Sequence, residues 1–263
     1  MVTKIWKRFV NILNKEVFNM AKLFIPYIMA TKNFIHHAKL LSDNGADIIE
    51  IGVPFSDPVA DGPIIMEAGQ QAIKEGVTIN YIFEKLEQHK KEITAKYVLM
   101  TYYNIICNYG EAAFMKKCQQ AGVYGLIIPD LPFELTEQLR QHYSDLNIKI
   151  ISLVAMTTDK ERMSNIINKA EGFIYTVTMN AITGSDGKFH PKLKQKIKNI
   201  KEQAKVPVVA GFGIKTVEHV KDIIDVADGV VIGSEIVKRF EEQSQQEIIN
   251  YLNDIANVLN TNN

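Results

Sequence analysis

The sequence predicts an α/β protein, a single (β/α)8 TIM barrel over residues 1–263 with an extra N-terminal helix. Three observations lead there. Short apolar runs rich in Val and Ile recur eight times, amphipathic helical spacing fills the intervals, and no linker or low-complexity tract divides the chain. Strands uncharged at their centres, as all but the second are, are covered on both faces, as in a parallel sheet whose crossovers are helices. A doubly wound open sheet shares that alternation, and eight repeats in 263 residues favour closure.

In chain order, the opening MVTKIWKRFVNILNKEVF places Ile5, Phe9 and Ile12/Leu13 on one face of a helix. It is basic like an export signal. However, Lys7, Arg8, Asn11 and Asn14 interrupt its apolar stretches, and no small-residue cleavage site follows. Strands are predicted at Leu23–Met29, Ile48–Gly52, Tyr97–Tyr102, Gly125–Ile128, Lys149–Leu153, Ile174–Thr178, Val208–Ala210 and Gly229–Ile232. Helical spacing between them is clearest at Phe114/Cys118/Ala121 and Val217/Val220/Ile224, and in a last helix at Ile248, Leu252, Ile255 and Leu259.

Active sites of such barrels lie at the C-terminal strand ends, so unusual residues there are candidates. The second strand runs into IEIGVPFSDPVADGP. Glu50 alternates with Ile49 and Ile51, so it faces the barrel mouth if those two meet the helices. Apolar surroundings raise a carboxyl pKa and let it carry a proton near neutrality; pairing with a rim lysine is the competing account. Pro54, Pro58 and Pro63 stiffen the loop that follows. Asp57 and Asp61 read as turn residues, but Asp61 also precedes a helix whose dipole favours its ionised form. A protonatable Glu and an ionised Asp make an acid/base pair.

Late in the chain come Gly184 after the sixth strand, Gly211-Phe212-Gly213 after the seventh and Gly233-Ser234 after the eighth. Each alone is ordinary turn chemistry. Together, at the end where barrels hold phosphate, they predict an anion cradle of backbone N–H groups. The glycine pair is no dinucleotide fingerprint, because Thr216 occupies the third glycine position. The polar segment TMNAITGSDGKFHP (178–191) reads as a lid or as a plain connection.

Other chemistries lack support. The chain has 30 basic and 30 acidic residues, which argues against nucleic acid and anionic membrane as partners. No apolar run nears the roughly 20 residues of a membrane span. Two cysteines form neither a disulfide framework nor a metal cluster, which fits a soluble cytoplasmic protein. The six histidines make no ligand-spaced pair, and no HExxH, CxxC, Walker loop or GxSxG appears.

The segment IEIGVPFSDPVADGP closely resembles the signature of the tryptophan synthase α subunit. The likeness continues through FIPYIMA, MTYYNII, IIPDLP, ITGSDG, AGFGI and VVIGSEIV. It implies a metal-free and cofactor-free retro-aldol cleavage of indole-3-glycerol phosphate to indole and glyceraldehyde 3-phosphate. Glu50 and Asp61 would be catalytic. Phe24, Ile65, Leu99, Tyr102, Ile127, Leu153 and Tyr175 would line the indole pocket, and Thr183 would close over Asp61. Gly184, Gly213, Gly233 and Ser234 would hold the phosphate. The resemblance further implies a pyridoxal-phosphate β subunit in an α–β–β–α complex, with Asp57, Pro58, Asn104, Asn108 and Pro132 as rim contacts. The chain departs from the family pattern at Thr31-Lys32-Asn33, Pro129, Met179 and Ala181. A stand-alone lyase, a catalytically inert relative and an unrelated phosphate-binding barrel are the competing readings; an inert relative is expected to have lost one of the residues that are intact here.

Overall fold

The computed structural model describes residues 22–177, 182–183, 188–211 and 213–261. The expected N-terminal helix lies outside the described residues. The strands are β1 Leu23–Met29, β2 Ile48–Gly52, β3 Lys96–Met100, β4 Gly125–Ile127, β5 Lys149–Ile150, β6 Ser152–Ala155, β7 Ile174–Val177, β8 Ile182–Thr183, β9 Lys188–Phe189, β10 Val208–Gly211 and β11 Gly229–Ile232. The helices are α1 Phe34–Asp43, α2 Pro63–Lys74, α3 Ile79–His89, α4 Tyr103–Tyr109, α5 Glu111–Ala121, α6 Phe133–His142, α7 Lys160–Lys169, α8 Pro191–Gln203, α9 Val217–Ile224, α10 Ser234–Glu242 and α11 Gln245–Thr261.

Nine parallel strands run in the order β5-β4-β3-β2-β1-β11-β10-β7-β6. The two ends of that order are consecutive in the chain, separated by Ile151 alone, whose N–H still donates to Leu126 O at 2.8 Å. The barrel therefore closes through one strand whose first part pairs with β4 and whose second pairs with β7. This corrects the expected strand at Lys149–Leu153, which is divided and extends to Ala155. The expected third strand is also shorter, because Tyr102 leaves the sheet to precede α4. Within segment 178–191 the described residues hold an antiparallel pair, β8 with β9, that the polar composition did not reveal.

Local chemistry sets the helix starts. Thr78, Asp159 and Thr216 accept backbone N–H groups at the N-termini of α3, α7 and α9, removing orphan donors there. Pro63 opens α2, where its missing N–H costs nothing. Gly122 ends α5 at φ +76°, a left-handed position that favours glycine.

Register fixes the interior. Tyr27 pairs with Glu50 and Glu50 with Val98, Met100 pairs with Ile127, and Leu153 pairs with Tyr175. Partners in a parallel ladder share a face, so these residues point into the barrel. The alternate positions, including Ile28, Ile51, Leu99 and Leu126, face the helices and complete the core between sheet and helix ring. Tyr97 marks that outer side, since its hydroxyl donates to the Ala121 carbonyl of α5.

Candidate active site

Glu50 lies on the inner face of β2, 2% exposed. One of its carboxylate oxygens has no hydrogen-bond partner among the described residues. Burial first, and the nearby Asp61 second, push its pKa up to about 8. A carboxyl without a counter-cation in an apolar wall keeps its proton at neutral pH. The rim-lysine account of this residue fails on its burial.

Asp61 is half-buried at the end of the proline-rich loop after β2. Burial raises its pKa, and a hydrogen bond from the Tyr102 hydroxyl opposes that rise. The net shift is upward, and the phenol acts for the ionised state that the α2 dipole was expected to favour. Tyr102 also accepts the Ala60 N–H at 3.0 Å and stacks on Phe55 at 4.8 Å between ring centroids. One side chain at the start of α4 therefore clasps the loop that carries Asp61. The loop's turn also bonds internally, the Ser56 hydroxyl donating to Asp57.

A cavity of about 550 Å³ opens above Glu50. Of the sequence-predicted pocket residues, Ile127, Leu153 and Tyr175 line it with Glu50. Ile65 stands on α2 toward Gly233, its Cδ1 3.7 Å from where a side chain there would begin. Phe24 and Leu99 are buried but out of phase with Tyr27 and Glu50, so they lie on the helix-facing side of the wall. Met100, one residue on from Leu99, takes the interior place. The backbone of Thr183 belongs to β8; its side chain and Gly184 lie outside the described residues.

The sequence reading missed further lining residues. The turn after β4, from Ile128 to Phe133, forms one wall, and Ile151, Thr158 and Arg162 extend another. Asp130 in that turn accepts the Tyr103 N–H at 2.9 Å and so anchors α4. Tyr27, paired with Glu50 on the inner face rather than lining that cavity, was also missed. Its ring lies across Gly52, and the Tyr175 ring lies across Gly211; a Cβ at either glycine would sit within 2.6 Å of the phenol. Alternation from Glu50 would have found Met100 once the β2–β3 register was known. The turn after β4 carries the IIPDLP segment with Pro129 and Pro132, but nothing local shows that it walls the cavity.

On the far side of the mouth Gly213 adopts φ +82°, which only glycine takes readily. Gly233 precedes α10 with no side chain capping the helix, and Ser234 is its first residue. Uncapped N–H groups at a helix N-terminus attract an anion. No cluster of three potential metal ligands occurs among the described residues.

A family model, tryptophan synthase alpha chain, matches residues 14–261. A tryptophan synthase alpha chain of Staphylococcus aureus (strain bovine RF122 / ET3-1) is 68% identical over 241 residues, covering 92% of this chain and all of that one. The solved alpha subunit from Campylobacter jejuni superimposes with a TM-score of 0.79 at 34% identity, over 90% of this chain and 97% of its own. That of Legionella pneumophila gives 0.82 at 28% identity over 98% of both.

Proposed function

The chain belongs to the tryptophan synthase alpha chain family, lyases that cleave indole-3-glycerol phosphate to indole and glyceraldehyde 3-phosphate in tryptophan biosynthesis, and we propose which of its residues carry out that step. Glu50 gives its proton to C3 of the indole ring. The N–H of the resulting indolenine cation is held by the Asp61 carboxylate. Glu50, now ionised, takes the proton of the C3′ hydroxyl as the C3–C3′ bond breaks. The bonding electrons return to the ring as indole, and the chain leaves as the aldehyde. Glu50 ends protonated, so the cycle closes without another proton source.

The observation that carries this reading is the buried Glu50 with an unpartnered oxygen beneath the cavity. An acid kept neutral there can donate to carbon, which an exposed carboxylate at neutral pH cannot. The phosphate is assigned to the N–H groups at Gly213, Gly233 and Ser234, and Gly184 is assigned to it with them. Ile127, Leu153 and Tyr175 hold the indole, and Thr183 is assigned to the closing segment.

Membership of this family implies a β-subunit partner. The finer assembly, α–β–β–α with pyridoxal phosphate in the β chain condensing indole with serine, belongs to this proposal. So does a cytoplasmic location; no helix among the described residues is long and apolar enough to cross a membrane. The rim residues Asp57, Pro58, Asn104, Asn108 and Pro132 are assigned to the contact. They are joined by Val59, an apolar side chain 82% exposed on the catalytic loop. The testing experiment is indole release from indole-3-glycerol phosphate by the purified chain, repeated with a β subunit. No release under either condition overturns the reading.

A further inference from the structure

We propose that the Tyr27 hydroxyl hydrogen-bonds the glycerol chain of the substrate and orients it between the catalytic pair and the phosphate cradle. This rests on the site reading above and adds a residue to it.

Three observations meet at Tyr27. It pairs with Glu50 across β1 and β2, on the inner face. Its ring begins beside Gly233, where a Cβ would stand 3.7 Å from Tyr27 Cβ, and ends over Gly52, where a Cβ would stand 2.0 Å from Tyr27 Oη. The phenol therefore spans the distance from the helix that cradles phosphate to the strand that carries Glu50. The substrate's three-carbon chain must cover the same route, from the ring carbon at Glu50 to the phosphate at Gly233. Gly52 has no side chain, and that absence is what gives the hydroxyl its place.

The third observation is the chemistry of the group. Tyr27 is 3% exposed, and a phenol hydroxyl can both donate and accept a hydrogen bond. Burial first, then Asp61 and Glu50, hold the phenol well above its ordinary pKa, so it stays a donor throughout the reaction. A donor and acceptor beside a polyhydroxylated chain is a specificity element, because the analogue lacking the partner hydroxyl leaves it unpaired.

The test compares two ligands on one variant. Indole-3-glycerol phosphate carries the chain hydroxyls; 3-(indol-3-yl)propyl phosphate has the same ring and phosphate without them. Tyr27→Phe keeps the ring over Gly52 and deletes only the hydroxyl. The expected result is a roughly tenfold fall in kcat/KM for the substrate, the worth of about one hydrogen bond, with the inhibition constant of the analogue unchanged. Equal weakening of both ligands, or of neither, overturns the proposal. If Tyr27→Phe does not fold, Gly52→Ala displaces the phenol while retaining it, and must show the same selectivity between ligands. Failure of the wild-type chain to cleave the substrate would overturn the underlying site reading; cleavage with an unselective loss would overturn only the role of Tyr27.

Discussion

At the scale of single residues, the proposed chemistry depends on one carboxyl keeping a proton that its class normally loses. Burial and the neighbouring Asp61 raise Glu50 to about 8, so kcat/KM is expected to fall as pH rises through that value, because the donor form disappears. Glu50→Gln retains shape and hydrogen bonding but cannot cycle the proton. Its turnover is expected to drop by about 10⁴-fold or more, since one group serves two transfers. Wild-type-like rates would remove Glu50 from the mechanism. Stability has its own sign. A carboxyl raised in the folded state supports the fold below its ordinary pKa and loses that support as pH climbs through the raised one. The Tm of Glu50→Gln relative to wild type should therefore increase between about pH 5 and about pH 9. At Asp61 the Tyr102 hydroxyl favours the charged form. Tyr102→Phe should move the acid limb of the pH profile upward and lower kcat/KM by about 10–100-fold, the range for a hydrogen bond to a charged group. An unmoved limb would deny that the phenol tunes Asp61.

Elements place these groups. The N-terminus of α10 is uncapped and starts at Ser234, so Ser234→Asp puts a like charge where the phosphate is assigned. KM should rise at least about tenfold with little change in Tm, because an acidic residue suits an empty helix N-terminus. An unchanged KM would move the phosphate elsewhere. A second device joins α8 to the cavity wall. The Lys196 ammonium donates to the carbonyls of Ala155, Met156 and Thr158 at 2.8–2.9 Å, and Ala155 and Thr158 line the cavity. Lys196→Met leaves three carbonyls without their donor. It is expected to cost about 1–3 kcal/mol of stability and to raise KM as the turn after β6 loosens. Thermal unfolding beside steady-state kinetics separates the two effects.

At the scale of the whole molecule, the loop carrying Asp61 is clasped from inside by Tyr102, which stacks on the loop's own Phe55, while its outer edge presents Val59 to solvent. Covering that edge would bury apolar area and press on the loop holding Asp61. A β subunit is therefore expected to raise the rate of indole release, and Val59→Asp to abolish the increase while sparing the basal rate. Sedimentation or size-exclusion of the mixed chains provides the binding readout. Retained activation with the aspartate would place the contact elsewhere.

The sequence by itself determined whatever depends on short-range pattern. Strand and helix positions follow from apolar periodicity, and Glu50 and Asp61 were legible because an acid in an apolar strand and a proline-stiffened loop are local anomalies. The glycines at 213 and 233, to which the phosphate is assigned, stood out for the same reason. Other features required the closed barrel. Leu99 and Met100 are equally apolar neighbours, and only the register of β3 against Glu50 decides which one faces the cavity. Phe24 goes to the helix side and Tyr27 to the interior by that same rule. The division of one strand at Ile151 is a property of two neighbours in space, β4 and β7, neither of which its own sequence names. Strand alternation is a phase with two settings. Local sequence gives the alternation, and the setting is chosen by which neighbours the strand meets when the sheet closes.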